Sequence, residues 1–172
     1  HWENLRNVQS DLDDAMETIN NKSVNDLSPE EMLMTVYNVT GYRKGQNKDR
    51  KNAKGQVTGQ GALNLRSSNV HISKDGNAAH VTFDAKSGVR QKFRETDPRL
   101  VEILKKAKEG KRGKDKLFDT TTSKIDAFIK DIHPESKVKH LRTNRAIKSA
   151  TEFLGTYKKR IDGGGRKLPA SE

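Results

Sequence analysis

The sequence predicts an α+β domain, mostly helical, with one small three-stranded antiparallel sheet inside residues 62–95. Two observations carry that prediction. Apolar residues recur at helical spacing in several long runs on either side of that segment. Within it, short apolar runs are separated by the turn signals Lys74-Asp75-Gly76-Asn77 and Lys86-Ser87-Gly88.

The elements follow in order. Trp2, Leu5, Val8, Leu12, Ala15, Met16 and Ile19 form the apolar stripe of a first helix over residues 2–20, broken by Asn20-Asn21-Lys22-Ser23. Ser28-Pro29-Glu30-Glu31 is a start signal: Ser as N-cap, Pro in the first turn, Glu31 completing a capping box. The second helix runs to about Thr40, where Gly41 suits a left-handed end. Residues 46–60 are polar and Gly-containing and read as a long loop. Ala62 to Arg66, Val70 to Ser73, His80 to Asp84 and Val89 to Arg94 are the strand candidates. Asp97-Pro98 opens a helix carrying Leu100, Val101, Ile103, Leu104 and Ala107. After a charged loop, Leu117-Phe118 is a short buried anchor. Ser123 or a neighbour caps a helix with Ile125, Phe128, Ile129 and Ile132 inward, ended by His133-Pro134, and Val138 to Leu154 forms a further helix. We divide the chain into an acidic N-terminal helix or connector (1–27), a core (28–157) and a basic flexible tail or linker (158–172), the last marked by Gly163-Gly164-Gly165.

The chain of 172 residues has 33% charged and 31% hydrophobic residues and a net charge of +11. Such a balance points to a polyanionic partner, most commonly nucleic acid. The charge is uneven: residues 1–41 hold Arg6 and Lys22 against Glu3, Asp11, Asp13, Asp14, Glu17, Asp26, Glu30 and Glu31. The basic character therefore belongs to the rest. There is no cysteine, which excludes disulfides and thiolate metal sites. No apolar run approaches the length of a transmembrane helix, and no signal peptide is evident. The first residue is His, which points to a processed product or an excised domain.

No P-loop or nucleophile elbow is present, and His1, His71, His80, His133 and His140 lack metal-ligand spacing, so no metal or other cofactor is expected. What remains is a set of three cations in distinctive settings. Arg43 follows the second helix, Lys86 sits at a tight turn, and Arg142 opens Arg142-Thr143-Asn144-Arg145 in an amphipathic run. Cleavage of a phosphodiester concentrates negative charge on non-bridging oxygens. A guanidinium fork binds those oxygens by paired hydrogen bonds and keeps its charge. A lysine whose pKa is lowered by nearby arginines can give a proton to a leaving oxygen. Taken singly, each of the three is more commonly a plain backbone anchor or a solvated side chain.

Five blocks of the sequence, in order and spacing, resemble the catalytic domain of type IB DNA topoisomerases over about residues 35–155. Arg43-Lys44-Gly45-Gln46-Asn47-Lys48 is similar to the segment with the family's first catalytic arginine. Gly61-Ala62-Leu63-Asn64-Leu65-Arg66 with Val70-His71-Ile72 is similar to its strand pair. Phe83-Asp84-Ala85-Lys86-Ser87-Gly88-Val89-Arg90 resembles its lysine hairpin. Leu117-Phe118 and Val138-Lys139-His140-Leu141-Arg142-Thr143 resemble its anchor and second-arginine helix.

The resemblance implies a topoisomerase IB-like fold acting on double-stranded DNA, as a monomer, without ATP, metal or other cofactor. In the intact enzyme a tyrosine attacks a phosphodiester, forms a 3′-phosphotyrosyl link and allows relaxation before resealing; keeping the bond energy in that link removes the need for ATP. Arg43 and Arg142 would hold the scissile phosphate and Lys86 would protonate the 5′-oxygen. Lys44, Lys48, Arg66, Arg90, Lys139 and Arg145 would contact DNA. A location in the cytoplasm or nucleoid is expected, or the virion or host cytoplasm for a phage protein, and not secretion.

Two departures stand out. Ala85 replaces the glycine usual before the hairpin lysine. No histidine follows His140, and Tyr157 is too close to Arg142 to match the family nucleophile. The sequence therefore reads as part of a longer topoisomerase, itself expected to bind duplex without cutting it. The alternative is an inactive DNA-binding module of the same fold, as in a phage or mobile-element protein. A tyrosine recombinase ranks third, because the His-x-x-Arg pattern is missing.

Overall fold

The computed structural model describes residues 2–84 and 89–142. Helices α1 (Trp2–Asn20) and α2 (Pro29–Thr40) precede a two-stranded ribbon, β1 (Arg50–Lys51) and β2 (Val57–Thr58). A three-stranded sheet follows, β3 (Val70–Ile72), β4 (Ala79–Asp84) and β5 (Arg90–Glu95), and then α3 (Pro98–Lys108) and α4 (Thr122–Ile132). Residues 138–142 are again helical. The predicted class, α+β with a small antiparallel sheet, is the one observed.

Val8, Leu12, Met16 and Ile19 of α1 are all buried, on one stripe, and belong to the same apolar core as Leu33, Val36 and Tyr37 of α2. A fully buried leucine such as Leu12 contributes about 2–5 kcal/mol relative to alanine. Packing, more than intrinsic propensity, holds α1 in place. The side chain of Arg99 caps its last turn, donating to the Ile19 carbonyl at 2.7 Å. The capping box of α2 is formed as its sequence implies: Glu31 N donates to Ser28 Oγ at 3.2 Å and Ser28 N to Glu31 Oε1 at 3.0 Å. Burial raises the Glu31 pKa, but Lys22, 2.7 Å away, and Ser28 outweigh it and hold the carboxyl below its ordinary value.

The sheet order is β3-β4-β5, antiparallel throughout. Val70 pairs with Val81, and Val81 with Phe93. Ala79, Val81 and Phe83 point inward, while His71 and His80 lie opposite each other on the exposed face. The first hairpin closes at Lys74-Asp75-Gly76-Asn77, where Gly76 takes φ 74° and Asn77 N donates to Asp75 Oδ1. α3, opened by Asp97 as predicted, lays Leu100, Val101, Ile103, Leu104 and Ala107 on the core. Leu117 and Phe118 are fully buried beside it.

Two expectations are corrected and a third is sharpened. Residues 62–66 are not a strand, so the sheet begins at Val70. Ala62, Leu63, Asn64 and Leu65 are all buried, which removes the alternation a strand needs. The amides of Ala62 and Leu63 are spent on the carbonyls of Arg43 and Lys44, and only Arg66 makes an isolated bridge, with Lys116. Residues 46–60 are not wholly loop, because Arg50 pairs with Thr58 and Lys51 with Val57. The cap of α4, expected at Ser123 or a neighbour, is Thr121, whose hydroxyl accepts from Lys124 N at 3.3 Å. Lys86, its turn and the Ala85 departure lie outside the described residues. So do Arg145, Tyr157, most of the predicted 138–154 helix and the 158–172 segment. Among the described residues no helix is long and apolar enough to cross a membrane.

Candidate functional site

The site grows from the end of α2. Gly41 adopts φ 73°, a left-handed conformation that costs a glycine nothing, and its N–H returns to the Tyr37 carbonyl at 3.0 Å. The reversed chain sends Tyr42 into the core and leaves Arg43 exposed. The Tyr42 ring packs edge-on to Phe83 at 5.3 Å and beside Phe93 at 5.0 Å, and its hydroxyl donates to Glu95 Oε1 at 2.7 Å. Burial, with the Glu95 carboxylate added, pushes this phenol far above its ordinary value. Burial does the same to Tyr37, whose hydroxyl donates to the Lys44 carbonyl at 2.8 Å. Both tyrosines are packing and positioning groups, because neither can ionise readily where it sits.

The backbone of Arg43 is held from behind. Ala62 N donates to the Arg43 carbonyl at 2.9 Å and Leu63 N to the Lys44 carbonyl at 3.0 Å. This approach requires glycine on both sides. A Cβ on Gly61 would stand 2.4 Å from both the Arg43 oxygen and the Gly45 nitrogen, and one on Gly45 (φ +85°) would meet Asn64 Oδ1 at 2.6 Å. Asn64 is buried and satisfied: Oδ1 accepts from Gly61 N at 2.8 Å and Nδ2 donates to Asp49 Oδ1 at 3.3 Å. Gln60 ties the same turn to the end of β4, giving its N–H to the Asp84 carbonyl and accepting from Asp84 N at 3.0 Å.

Arg142 arrives from the other end of the chain. Val138 and Leu141 are buried and seat its helical turn on the core. Its Nε donates to the Gly41 carbonyl at 2.9 Å, across 101 positions of sequence. Burial, and then the charge of Arg43, lower its pKa from the ordinary arginine value. Arg43 and Arg142 line one cleft of about 370 Å³ together with Lys44, Gln46, Arg50 and the backbone of Gly45 and Gly59. Among the described residues neither Arg43 nor Arg142 forms an ion pair with a carboxylate. Two guanidiniums raising each other's energy in a shared cleft are stabilised by an anion placed between them.

The other predicted contacts divide. Lys48 is exposed. Lys44 lines the cleft, but its ammonium is 2.6 Å from Asp126 of α4. Arg90 is mostly exposed and reaches its cross-strand neighbour Asp84 at 3.4 Å. Lys139 is exposed on the helical turn that carries Arg142. Arg66 stands apart: Nη2 and Nε meet Asp49 Oδ2 at 2.7 and 3.2 Å, and Nη1 donates to the Lys114 carbonyl at 2.6 Å. Arg50 went unnoticed in the sequence, because only the β1–β2 ribbon brings it to the cleft. Gly61 was legible as part of a motif, whereas the supporting roles of Asn64 and Asp49 depend on a contact between distant turns.

A family model described as eukaryotic DNA topoisomerase I, catalytic core, matches residues 3–166. The class of protein is thereby a type IB topoisomerase catalytic domain, with the mixed helix-and-sheet core described above. The chain belongs to that family. Membership implies a DNA substrate and a topoisomerase-related function. No match is found among curated proteins.

Proposed function

We propose that this chain supplies the phosphate-holding part of a type IB topoisomerase that nicks, relaxes and reseals duplex DNA through a 3′-phosphotyrosyl link. Arg43 and Arg142 bind the non-bridging oxygens of the scissile phosphate, and Lys86 protonates the departing 5′-oxygen. The observation that carries the reading is the convergence of Arg43 and Arg142 on one cleft with neither neutralised by a carboxylate among the described residues. Arg142 is aimed by a bond to the Gly41 carbonyl, and Arg43 by the stitched backbone of residues 43–45 and 61–63. The Arg142 guanidinium and the backbone that carries Arg43 are therefore set before DNA arrives. That preorganisation is what stabilises charge developing in a transition state. Arg50, Lys48 and Arg90 extend the basic surface, and Lys139 and Arg145 belong to the segment around Arg142.

The test uses supercoiled plasmid and the longest natural version of the protein, without ATP or Mg²⁺. Relaxation that falls by about 100- to 1,000-fold in Arg142→Ala supports the reading. Salt-sensitive duplex binding with neither relaxation nor a covalent adduct replaces it with a DNA-binding module of the same fold.

A further inference from the structure

β4 is the middle strand of its sheet, and it outruns one of its neighbours. β3 pairs with it only from Ala79 to Val81, whereas β5 follows it to Asp84. Past Val81, the edge that β3 leaves open is closed by two side-chain amides. Asn69 Nδ2 donates to the Thr82 carbonyl at 2.8 Å, and Gln60 Oε1 accepts from Asp84 N at 3.0 Å. Gln60 adds its own N–H, which donates to the Asp84 carbonyl at 2.9 Å. One buried residue thus meets both main-chain polar groups of Asp84, as a residue of a paired strand would.

This clamp sits at a junction. Gln60 precedes Gly61, and Ala62 N, one residue further on, holds the Arg43 carbonyl at 2.9 Å. On the other side, Lys86 follows Asp84 by two positions in the chain. We propose that Gln60 is a positioning residue for proton transfer by Lys86: by fixing Asp84 to the turn that holds Arg43, it keeps the proton donor in register with the phosphate clamp. The inference rests on the reading of Lys86 as the proton donor. In that step the phenolate oxygen of the attacking tyrosine bonds to phosphorus as the P–O5′ bond breaks. The departing O5′ takes a proton from the Lys86 ammonium, which becomes a neutral amine, and resealing returns that proton. Transfer requires the donor within hydrogen-bond reach of the oxygen, and a misplacement of about 1 Å can cost about 100-fold. Gln60 is uncharged and buried, so its effect on the reaction passes through the backbone it holds.

The experiment follows a single round of strand cleavage by the longest natural version of the protein, in saturating excess over a short duplex with a mapped cleavage site. Two duplexes are compared, one with the ordinary 5′-oxygen at the scissile bond and one with sulfur in its place. A thiol ionises at a pKa of about 8.5, so a thiolate leaves without the proton that an alkoxide needs. Gln60→Met keeps the length of the side chain and removes the acceptor. It is expected to slow cleavage of the oxygen duplex about 10- to 100-fold, and to leave the sulfur duplex within about twofold of the parent rate. Lys86→Ala should show the same pattern with a larger loss on oxygen. Arg43→Ala should be slow on both duplexes, because sulfur does not replace a cation on the non-bridging oxygens. Gln60→Asn, one methylene too short to reach Asp84 N, gives the same comparison where the methionine variant does not fold. An unchanged rate on oxygen overturns the inference. An equal loss on both duplexes also overturns it, and makes Gln60 a support of the fold or of the Arg43 clamp. Lys86→Ala slowed alike on both duplexes overturns the reading of Lys86, and this inference with it. Rescue of Lys86→Ala by sulfur without rescue of the Gln60 variant overturns this inference alone.

Discussion

Arg43 and Arg66 sit on two sides of the same packed turn, and their surroundings could hardly differ more. Arg66 is gripped by Asp49 and by the Lys114 carbonyl, so its charge is paired within the protein although its side chain is partly open to solvent. Arg43 is exposed, and it shares its cleft with another guanidinium, Arg142, on which its charge acts. Both are arginines in blocks that resemble the same family, and both were expected to touch DNA. A guanidinium whose hydrogen bonds end on a carboxylate is a fastener. One held beside a like charge, with no carboxylate opposite, is a receptor for an anion. The first contributes to stability and the second to binding.

That contrast can be broken most directly at the receptor. Arg43→Met should reduce plasmid relaxation by the longest natural version about 100- to 1,000-fold, while unfolding stability changes by no more than about 0.5 kcal/mol. Equal losses of stability and activity would show that Arg43 is a fastener as well. Gly61→Ala attacks the base common to both regions. Its Cβ would stand 2.4 Å from the Arg43 oxygen, and overpacking of this kind costs about 1–3 kcal/mol, measured by denaturant unfolding. Arg66→Met should cost about 1–3 kcal/mol, because it strands the largely buried Asp49 carboxylate. It should leave the salt slope of duplex binding unchanged, whereas a drop of about 0.9 in that slope would make Arg66 a phosphate contact as well as a fastener.

The smallest effect concerns pH. Burial, and then the charges of Lys139, Lys137 and His133, push the His140 imidazole below its ordinary value. Its Nδ1 accepts from Lys137 N at 3.0 Å at the start of the Arg142 turn. Lowering the pH through the ordinary imidazole range protonates the unfolded chain first, so stability falls with pH there and levels off below the folded-state value. His140→Asn should remove that contribution, one proton at most, from stability measured against pH.

Much of this was legible in the chain. The capping box at Ser28 and Glu31, the left-handed Gly41, the Asp97 start, the hairpin at Asp75-Gly76 and the Leu117-Phe118 anchor are local features. Their conformations follow from residues within a few positions of each other. The Ala62–Arg66 segment was misread for the opposite reason. The amides of Ala62 and Leu63 bond to Arg43 and Lys44, and the side chains from Ala62 to Leu65 are all buried, so its shape answers to a distant partner. The β1–β2 ribbon was missed because its short paired segments carry no alternating apolar pattern.

By itself, the sequence determined helices α1 to α4, the order of the motifs and the excess of positive charge outside the first 41 residues. Only the tertiary structure decided which cations are free to meet an anion. Asp49 claims Arg66 from 17 positions away and Asp126 holds Lys44 from 82, while Arg142 reaches Gly41 across 101. Helix and turn preferences act over a few bonds. Charge compensation acts through space, over a few ångströms, and those distances exist only once the chain has folded.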